Sequence, residues 1–271
     1  MSPHIAFLGA GNMASAMISG LIAEGFSPEQ LRASDPRSEA LENLRGLGLT
    51  QLSTVSDDIF KGVDLVVAAV KPQVIPAALA SISNQLNSET ALLSIAAGIP
   101  IASLQQSAGR DVPIIRCMPN TPAMIRLGAS ALFAQETVSQ KQRALAERVT
   151  NAAGMTVWVE REDLLDVVTA VSGSGPAYFF ALIEAVAQAG TDLGLDKEVA
   201  TALTLQTAMG AAALALRSEE GVAKLRENVT SPGGTTEQAL RSLTANQFHE
   251  VISDAVKQCA QRASALGKEF G

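Results

Sequence analysis

From residue 4 to about residue 160, short runs of β-branched and other apolar residues alternate with segments whose apolar positions recur every three or four residues. A short continuous apolar run suits a strand buried on both faces, and its alternation with helices is the pattern of a parallel sheet covered by helices. The runs fall at 5–8, 31–34, 65–70, 91–96, 114–118, 129–134 and 156–159. Between the first two, Ala14, Met17, Ile18, Leu21 and Ile22 share one helical face, and Gly25 supplies a stop signal. The chain therefore opens as strand, helix, strand.

After Asp163 the strand pattern ends, and long Ala- and Leu-rich stretches follow near 176–193, 198–217 and 246–266. The last carries Phe248, Val251, Ile252, Ala255, Val256, Cys259 and Ala263 on one face, the mark of an amphipathic helix. The other two are apolar nearly all round, with small residues such as Ala208 and Gly210 to Ala213 permitting close helix approach. Such helices need burial on every side, more than a unit of this size provides, so a second copy of the chain is expected to cover them. The expected division is residues 1–163 as a Rossmann-type α/β domain and 164–271 as an all-helical domain that dimerises and binds substrate.

Composition narrows the function. Of 271 residues, 47% are hydrophobic and 17% charged, and the mean hydropathy is +0.21. Acidic residues outnumber basic ones 27 to 20 and no basic block occurs, which argues against nucleic acid as the main partner. Cys117 and Cys259 lie far apart in apolar surroundings, giving neither a disulfide framework nor a metal-ligand cluster, and a cytoplasmic setting fits. The amino-terminal apolar run lacks a preceding basic region and contains Gly9 and Gly11, so it reads as a strand and not a signal peptide. No stretch of about 18 uninterrupted apolar residues occurs, so no membrane span is expected.

Seven segments carry candidate chemistry. Residues 9–14, Gly9-Ala10-Gly11-Asn12-Met13-Ala14, follow the first strand and open the first helix. This is the Gly-x-Gly-x-x-Ala form of the dinucleotide fingerprint: Gly9 for the tight turn, Gly11 for close approach of a pyrophosphate, Ala14 for helix-on-strand packing, with the helix N-terminus facing the anion. An ordinary glycine turn is the competing reading. The second strand ends at Ser34-Asp35-Pro36-Arg37, where a ribose-reading residue is expected. Here the signal is mixed. Asp35 as acceptor for a ribose 2′-hydroxyl favours NAD, whereas Arg37 with Ser34 on a 2′-phosphate favours NADP, with Asp35 turning aside at modest cost. A turn aspartate and a solvated arginine are equally open.

Lys71-Pro72 ends the 65–70 run at the carboxyl edge of the sheet, either as an acid or as a strand end whose backbone lines the nicotinamide ribose. Ser94-Ile95-Ala96-Ala97-Gly98 leaves room for a planar ring, and the two prolines of Met118-Pro119-Asn120-Thr121-Pro122 suit a stiff wall or a plain loop. Ser172-Gly173-Ser174-Gly175-Pro176 serves equally as hinge or helix cap. Ser231-Pro232-Gly233-Gly234-Thr235-Thr236 precedes a helical run and combines flexible backbone, N–H groups and hydroxyls, either as a seat for a small carboxylate or as a capped loop. His4 and His249 lie in no motif, and no His-Glu-x-x-His pattern or nucleophile elbow occurs. A redox enzyme without a placed histidine suits a substrate already carrying its proton, such as a cyclic imine.

Taken in order, GAGNMA at 9–14, AAVKP at 68–72, SIAAG at 94–98, MPNTP at 118–122, SGSGPAY at 172–178 and SPGGTT at 231–236 closely resemble pyrroline-5-carboxylate reductase over essentially the whole chain. The resemblance implies NAD(P)H-dependent reduction of L-1-pyrroline-5-carboxylate to L-proline, the last step of proline synthesis; Arg37, able to pair with a 2′-phosphate, makes NADP(H) the expected preference with NAD(H) possible. It implies dimers through interlocked helical domains, and decamers beyond them. Carried over, cofactor contacts fall on Gly9, Ala10, Gly11, Asn12, Met13, Ser34, Asp35, Arg37, Ser56, Ala69, Val70, Lys71, Pro72, Ala96, Ala97 and Asn228. The cyclic imino acid rests its carboxylate on Ser231, Gly233, Gly234 and Thr235, with the Thr236 hydroxyl near the imine nitrogen as the catalytic group and Glu219 nearby. No metal is implied.

Two rivals stand beside this reading. Another imine or β-hydroxyacid dehydrogenase of the same plan needs a catalytic Lys or Asp in the helical half, where Lys197 merely follows a turn. A noncatalytic NADP-sensing module has no use for the intact 231–236 loop.

Overall fold

The computed structural model describes residues 2–55, 58–109 and 111–270. In chain order the elements are β1 (Ile5–Leu8), α1 (Asn12–Ala23), β2 (Leu31–Ser34), α2 (Ser38–Gly46), β3 (Gln51–Ser53), β4 (Leu65–Ala68), α3 (Ile75–Ile82), β5 (Ala91–Ser94), α4 (Ile101–Ala108), β6 (Ile114–Met118), β7 (Gly128–Ala134), α5 (Gln140–Asn151) and β8 (Gly154–Trp158). There follow α6 (Leu164–Val168), a π-helical turn (Thr169–Gly173), α7 (Gly175–Asp192), α8 (Lys197–Arg217), α9 (Val222–Asn228), α10 (Thr235–Ala245) and α11 (Phe248–Phe270).

The strands form one sheet in the order β3-β2-β1-β4-β5-β6-β7-β8, parallel throughout except at the β6–β7 pair. Strand side chains alternate between two apolar layers. Ile5, Phe7, Leu31, Ala33, Leu65, Val67, Leu93 and Ile115 meet α1, α2 and α5, while Ala6, Leu8, Val66, Ala68, Leu92 and Ile114 meet α3 and α4. Burial on both faces is why these strands read as continuous apolar runs. β3 escaped the sequence reading for the opposite reason: Gln51, Leu52 and Ser53 form a half-buried edge strand with no apolar run. The chain winds to one side of β1 through β2 and β3, then returns to its other side at β4, which makes the carboxyl ends of β1 and β4 the switch point.

The molecule divides into two compact units, residues 1–174 with 258–271, and residues 175–257. By contacts, the first unit runs past the 163/164 boundary expected from the sequence. Leu165 and Ala170 are buried with the sheet unit, and α11 comes back to it, where Gly267 lies against Gly98. A Cβ at Gly267 would stand 2.9 Å from the Gly98 carbonyl oxygen, so the close approach requires glycine.

In the second unit α7 and α8 pack together across a short turn. Gly194 supplies the left-handed conformation at φ +104°, and Asp196 caps α8 by accepting from the Glu198 and Val199 amides. Within this chain the two helices are not enclosed on every side: Phe179 is 67% and Met209 61% exposed. Leu164–Asp192 and Lys197–Arg217 are long and apolar enough to cross a membrane by length and composition. The absence of an uninterrupted apolar run did not reveal this, because polar residues are spread thinly along both.

Candidate functional site

The Gly9 turn is held from three sides. Its N–H donates to the Ser34 carbonyl at 2.7 Å, φ is +103°, and a Cβ would stand 2.6 Å from the Ala69 carbonyl oxygen and 2.9 Å from Val70 Cγ1. Only glycine combines that backbone with that clearance. Gly11 differs. A Cβ there meets nothing within 4 Å, so the space above it is open to a ligand. Gly11 is also the N-cap of α1, no side chain caps the helix, and its first turn holds no acidic residue. The first amides of α1, at Asn12 and Met13, thus point their partial positive charge at open space, which suits a pyrophosphate. Ala14 is fully buried, as close packing of helix and strand requires.

At the end of β2 the structure shows where the Asp35, Arg37 and Ser34 side chains point. Asp35 is buried and its carboxylate faces inward: Oδ2 accepts from the Ala10 amide at 2.9 Å and from Arg37 Nη2 at 3.1 Å, and Oδ1 from the Arg37 amide at 2.9 Å and Arg37 Nε at 3.1 Å. Burial alone pushes the Asp35 carboxyl up, but the hydrogen bonds from the Arg37 side chain and the Ala10 and Arg37 amides outweigh it and hold it below the ordinary value. Asp35 does not turn aside. Ser34 is likewise buried, and its hydroxyl donates to the Val55 carbonyl at 3.2 Å, so its side chain does not accompany Arg37 toward a phosphate. The Arg37 side chain is 65% exposed. Ser56 lies outside the described residues.

Ala69, Val70, Lys71 and Pro72 follow β4 beside the Gly9 turn, with the Ala69 amide donating to the Leu8 carbonyl at 2.8 Å. Lys71 is exposed and its backbone opens a single helical turn, Pro72–Val74. Ala96 is buried and Ala97 half-buried in the turn after β5. Asn120, which sequence reasoning placed only in a stiff loop, is a tie in the same unit, accepting from the Ala129 amide at 2.8 Å and donating to the Ser172 carbonyl at 3.1 Å. Its two partners lie 9 and 52 residues away, so no local pattern announces them. Arg116 was also missed. It is buried on β6, paired at 2.7 Å with Glu162, whose same oxygen accepts from the Ile101 amide that starts α4.

In the other unit, Gly233 adopts φ +72° and Gly234 is the N-cap of α10, with no side-chain cap. Two of the amides expected to hold a carboxylate are already engaged: Gly233 N–H donates to Glu237 Oε2 at 2.8 Å, and Gly234 N–H to the Ser231 carbonyl at 3.0 Å. The free donors are instead those of Thr235 and Thr236, which start the helix and so lack intrahelical acceptors. Thr236 is half-buried and Glu219 exposed. Asn228 donates to Glu220 at 2.7 Å. Among the described residues no group of His, Cys, Asp and Glu is placed to hold a metal ion. Burial pushes the Cys117 thiol up to about 12, which makes it inert.

A parallel sheet whose switch point carries an open glycine turn and an uncapped helix start defines a dinucleotide-binding α/β protein joined to a helical unit. Residues 4–98 match the family described as NADP oxidoreductase, coenzyme F420-dependent, and residues 162–266 match pyrroline-5-carboxylate reductase dimerisation. A pyrroline-5-carboxylate reductase from Pseudomonas aeruginosa is 46% identical over 270 residues, spanning 100% of this chain and 99% of the relative. A pyrroline-5-carboxylate reductase structure from Coxiella burnetii superposes with a TM-score of 0.93 at 39% identity, covering 98% of this chain and 99% of that one. One from Plasmodium falciparum, with NADP bound, gives 0.85 at 29% identity, covering 98% of both chains. The chain belongs to the pyrroline-5-carboxylate reductase family. Residues 162–266 match a dimerisation domain, which supports a homo-oligomer, and within this chain α7 and α8 leave apolar side chains exposed.

Proposed function

We propose that this protein reduces L-1-pyrroline-5-carboxylate to L-proline, the closing step of proline biosynthesis. The observation that carries the reading is the full-length likeness, at 46% identity, to a reductase of that name. The residues present fit a nicotinamide dinucleotide: open space over Gly11, an uncapped α1 start and the exposed Arg37 guanidinium suit its phosphates. When bound in reduced form, that cofactor supplies a hydride to the imine carbon.

The chain's own contribution is placement. Gly9 to Met13 seat the pyrophosphate, Ala69 to Pro72 line the ribose, and Ala96 and Ala97 leave room for the ring. The amides of Thr235 and Thr236 take the substrate carboxylate within the Ser231 to Thr236 loop, with Glu219 nearby. The Thr236 hydroxyl accepts from the iminium N–H and orients the ring. A protonated imine gains a hydride to become the neutral amine, so Thr236 need not deliver a proton. NADPH is the better cofactor because Arg37 suits a 2′-phosphate. We further infer a homodimer through α7 and α8, assembling into decamers, and a cytoplasmic location without nucleic-acid or membrane partners; the acidic balance and the free thiols of Cys117 and Cys259 support this.

Oxidation of NADPH by the purified protein, followed at steady state with and without pyrroline-5-carboxylate, tests the proposal. Saturable, substrate-dependent oxidation with proline as product is expected. Nucleotide binding without turnover would instead mark a sensing module.

A further inference from the structure

A carboxylate at the end of the second strand of this fold is expected to accept from the ribose diol of NAD. Asp35 has no capacity left for that. An ionised carboxylate offers about four acceptor sites, and the Ala10 amide, the Arg37 amide, Arg37 Nε and Arg37 Nη2 occupy them at 2.9, 2.9, 3.1 and 3.1 Å. The residue is 4% exposed, and the Ala10 amide that it holds belongs to the glycine turn 25 residues earlier. Its charge is neutralised by a bidentate arginine, so it does not repel a phosphate in front of it. Arg37, fixed on its Nε and Nη2 edge, keeps its remaining N–H groups directed away from Asp35, on a side chain that is largely in solvent.

We propose that Asp35 is a positioning residue and not a ribose reader: it pins the Ala10 amide of the glycine turn and holds Arg37 in the orientation that receives the 2′-phosphate. One carboxylate thereby couples the shape of the pyrophosphate seat to cofactor choice. The proposal rests on the reading that residues 9–13 seat the dinucleotide. A consequence follows for Arg37. Removing its side chain takes away the phosphate's partner and at the same time frees acceptor sites on an uncompensated carboxylate, so the same Asp35 becomes available to a ribose diol and hostile to a 2′-phosphate.

The test is a fluorescence titration of NADPH and NADH, with KM and kcat for both, on the wild-type protein, Asp35→Asn and Arg37→Ala. The amide in Asp35→Asn cannot accept from all four donors, so the KM values of both cofactors should rise by a similar factor, about tenfold, with kcat little changed. Arg37→Ala should raise the KM for NADPH about tenfold or more while leaving that for NADH unchanged or lower, reversing the preference. A loss confined to NADH in Asp35→Asn would make Asp35 a ribose reader and overturn the proposal. Equal losses for both cofactors in Arg37→Ala, a surface substitution that should leave folding intact, would overturn it as well. Wild-type protein that binds neither nucleotide would bring down the reading of the glycine turn itself, whereas wild-type binding with Asp35→Asn indistinguishable from it would remove only the role assigned here.

Discussion

The Asn120 side chain joins two backbone groups that no secondary-structure element pairs: its amide donates to the Ser172 carbonyl at 3.1 Å while its carbonyl accepts from Ala129 N–H at 2.8 Å. It thereby fastens the π-helical turn, closed by Ser174 N–H on the Thr169 carbonyl at 2.7 Å, to the start of β7. Truncation leaves both partners unsatisfied in a mostly buried place. Asn120→Ala should cost about 1 to 3 kcal/mol of stability, read by urea or thermal unfolding. A variant as stable as the wild type would show that water replaces the tie.

Gly9 and Gly11 should separate folding from cofactor binding. Gly9→Ala puts a methyl group 2.6 Å from the Ala69 carbonyl oxygen at φ +103°, and about 1 to 3 kcal/mol of destabilisation is expected. Gly11→Ala meets nothing in the protein, so its unfolding midpoint should stay near that of the wild type while its NADPH affinity falls. Unaltered NADPH titration by Gly11→Ala would mean that the pyrophosphate does not approach there.

Thr236 is expected to orient more than to protonate. Losing a neutral hydrogen bond should reduce kcat/KM by about 5- to 150-fold in Thr236→Ala and Thr236→Val, with NADPH affinity unchanged. Wild-type rates in both variants would take Thr236 out of the site. Complete loss in correctly folded, cofactor-binding protein would instead make it an essential proton donor.

Asp166 should be a cost to the fold at neutral pH. Burial pushes its carboxyl above the ordinary 3.8, with Asp163 and Glu162 adding to the effect and Arg116 opposing it. The folded state therefore holds the Asp166 proton more tightly than the unfolded chain does. The penalty is absent below the unfolded value and grows as pH rises through the folded one. Asp166→Asn should raise the unfolding temperature near pH 7, and the gain should shrink as pH approaches 4. A gain independent of pH would point to packing and not to charge.

The strands at the centre of the sheet were legible because each is buried on both faces, so Ile5 to Leu8 and Leu65 to Ala68 contain no polar residue. β3 was not, since an edge strand paired only through Arg32, Ala33 and Ser34 needs no apolar run. The glycine turn was legible because its demands are local: a positive φ at Gly9 and a small residue at Ala14 are requirements of a few consecutive residues.

Residue order alone thus determined where the central strands and long helices lie, the nature of the first turn and the surplus of apolar helix surface, because burial and backbone geometry act over neighbouring positions. It left Asp35 and Arg37 ambiguous between two cofactors and placed the Gly233 and Gly234 amides in a seat where they are not free. Those points depend on which donor reaches which acceptor. For Asp35 the donor is Ala10, brought within 2.9 Å by the parallel pairing of β1 with β2, a partnership set by the sheet and invisible in the spacing of residues along the chain.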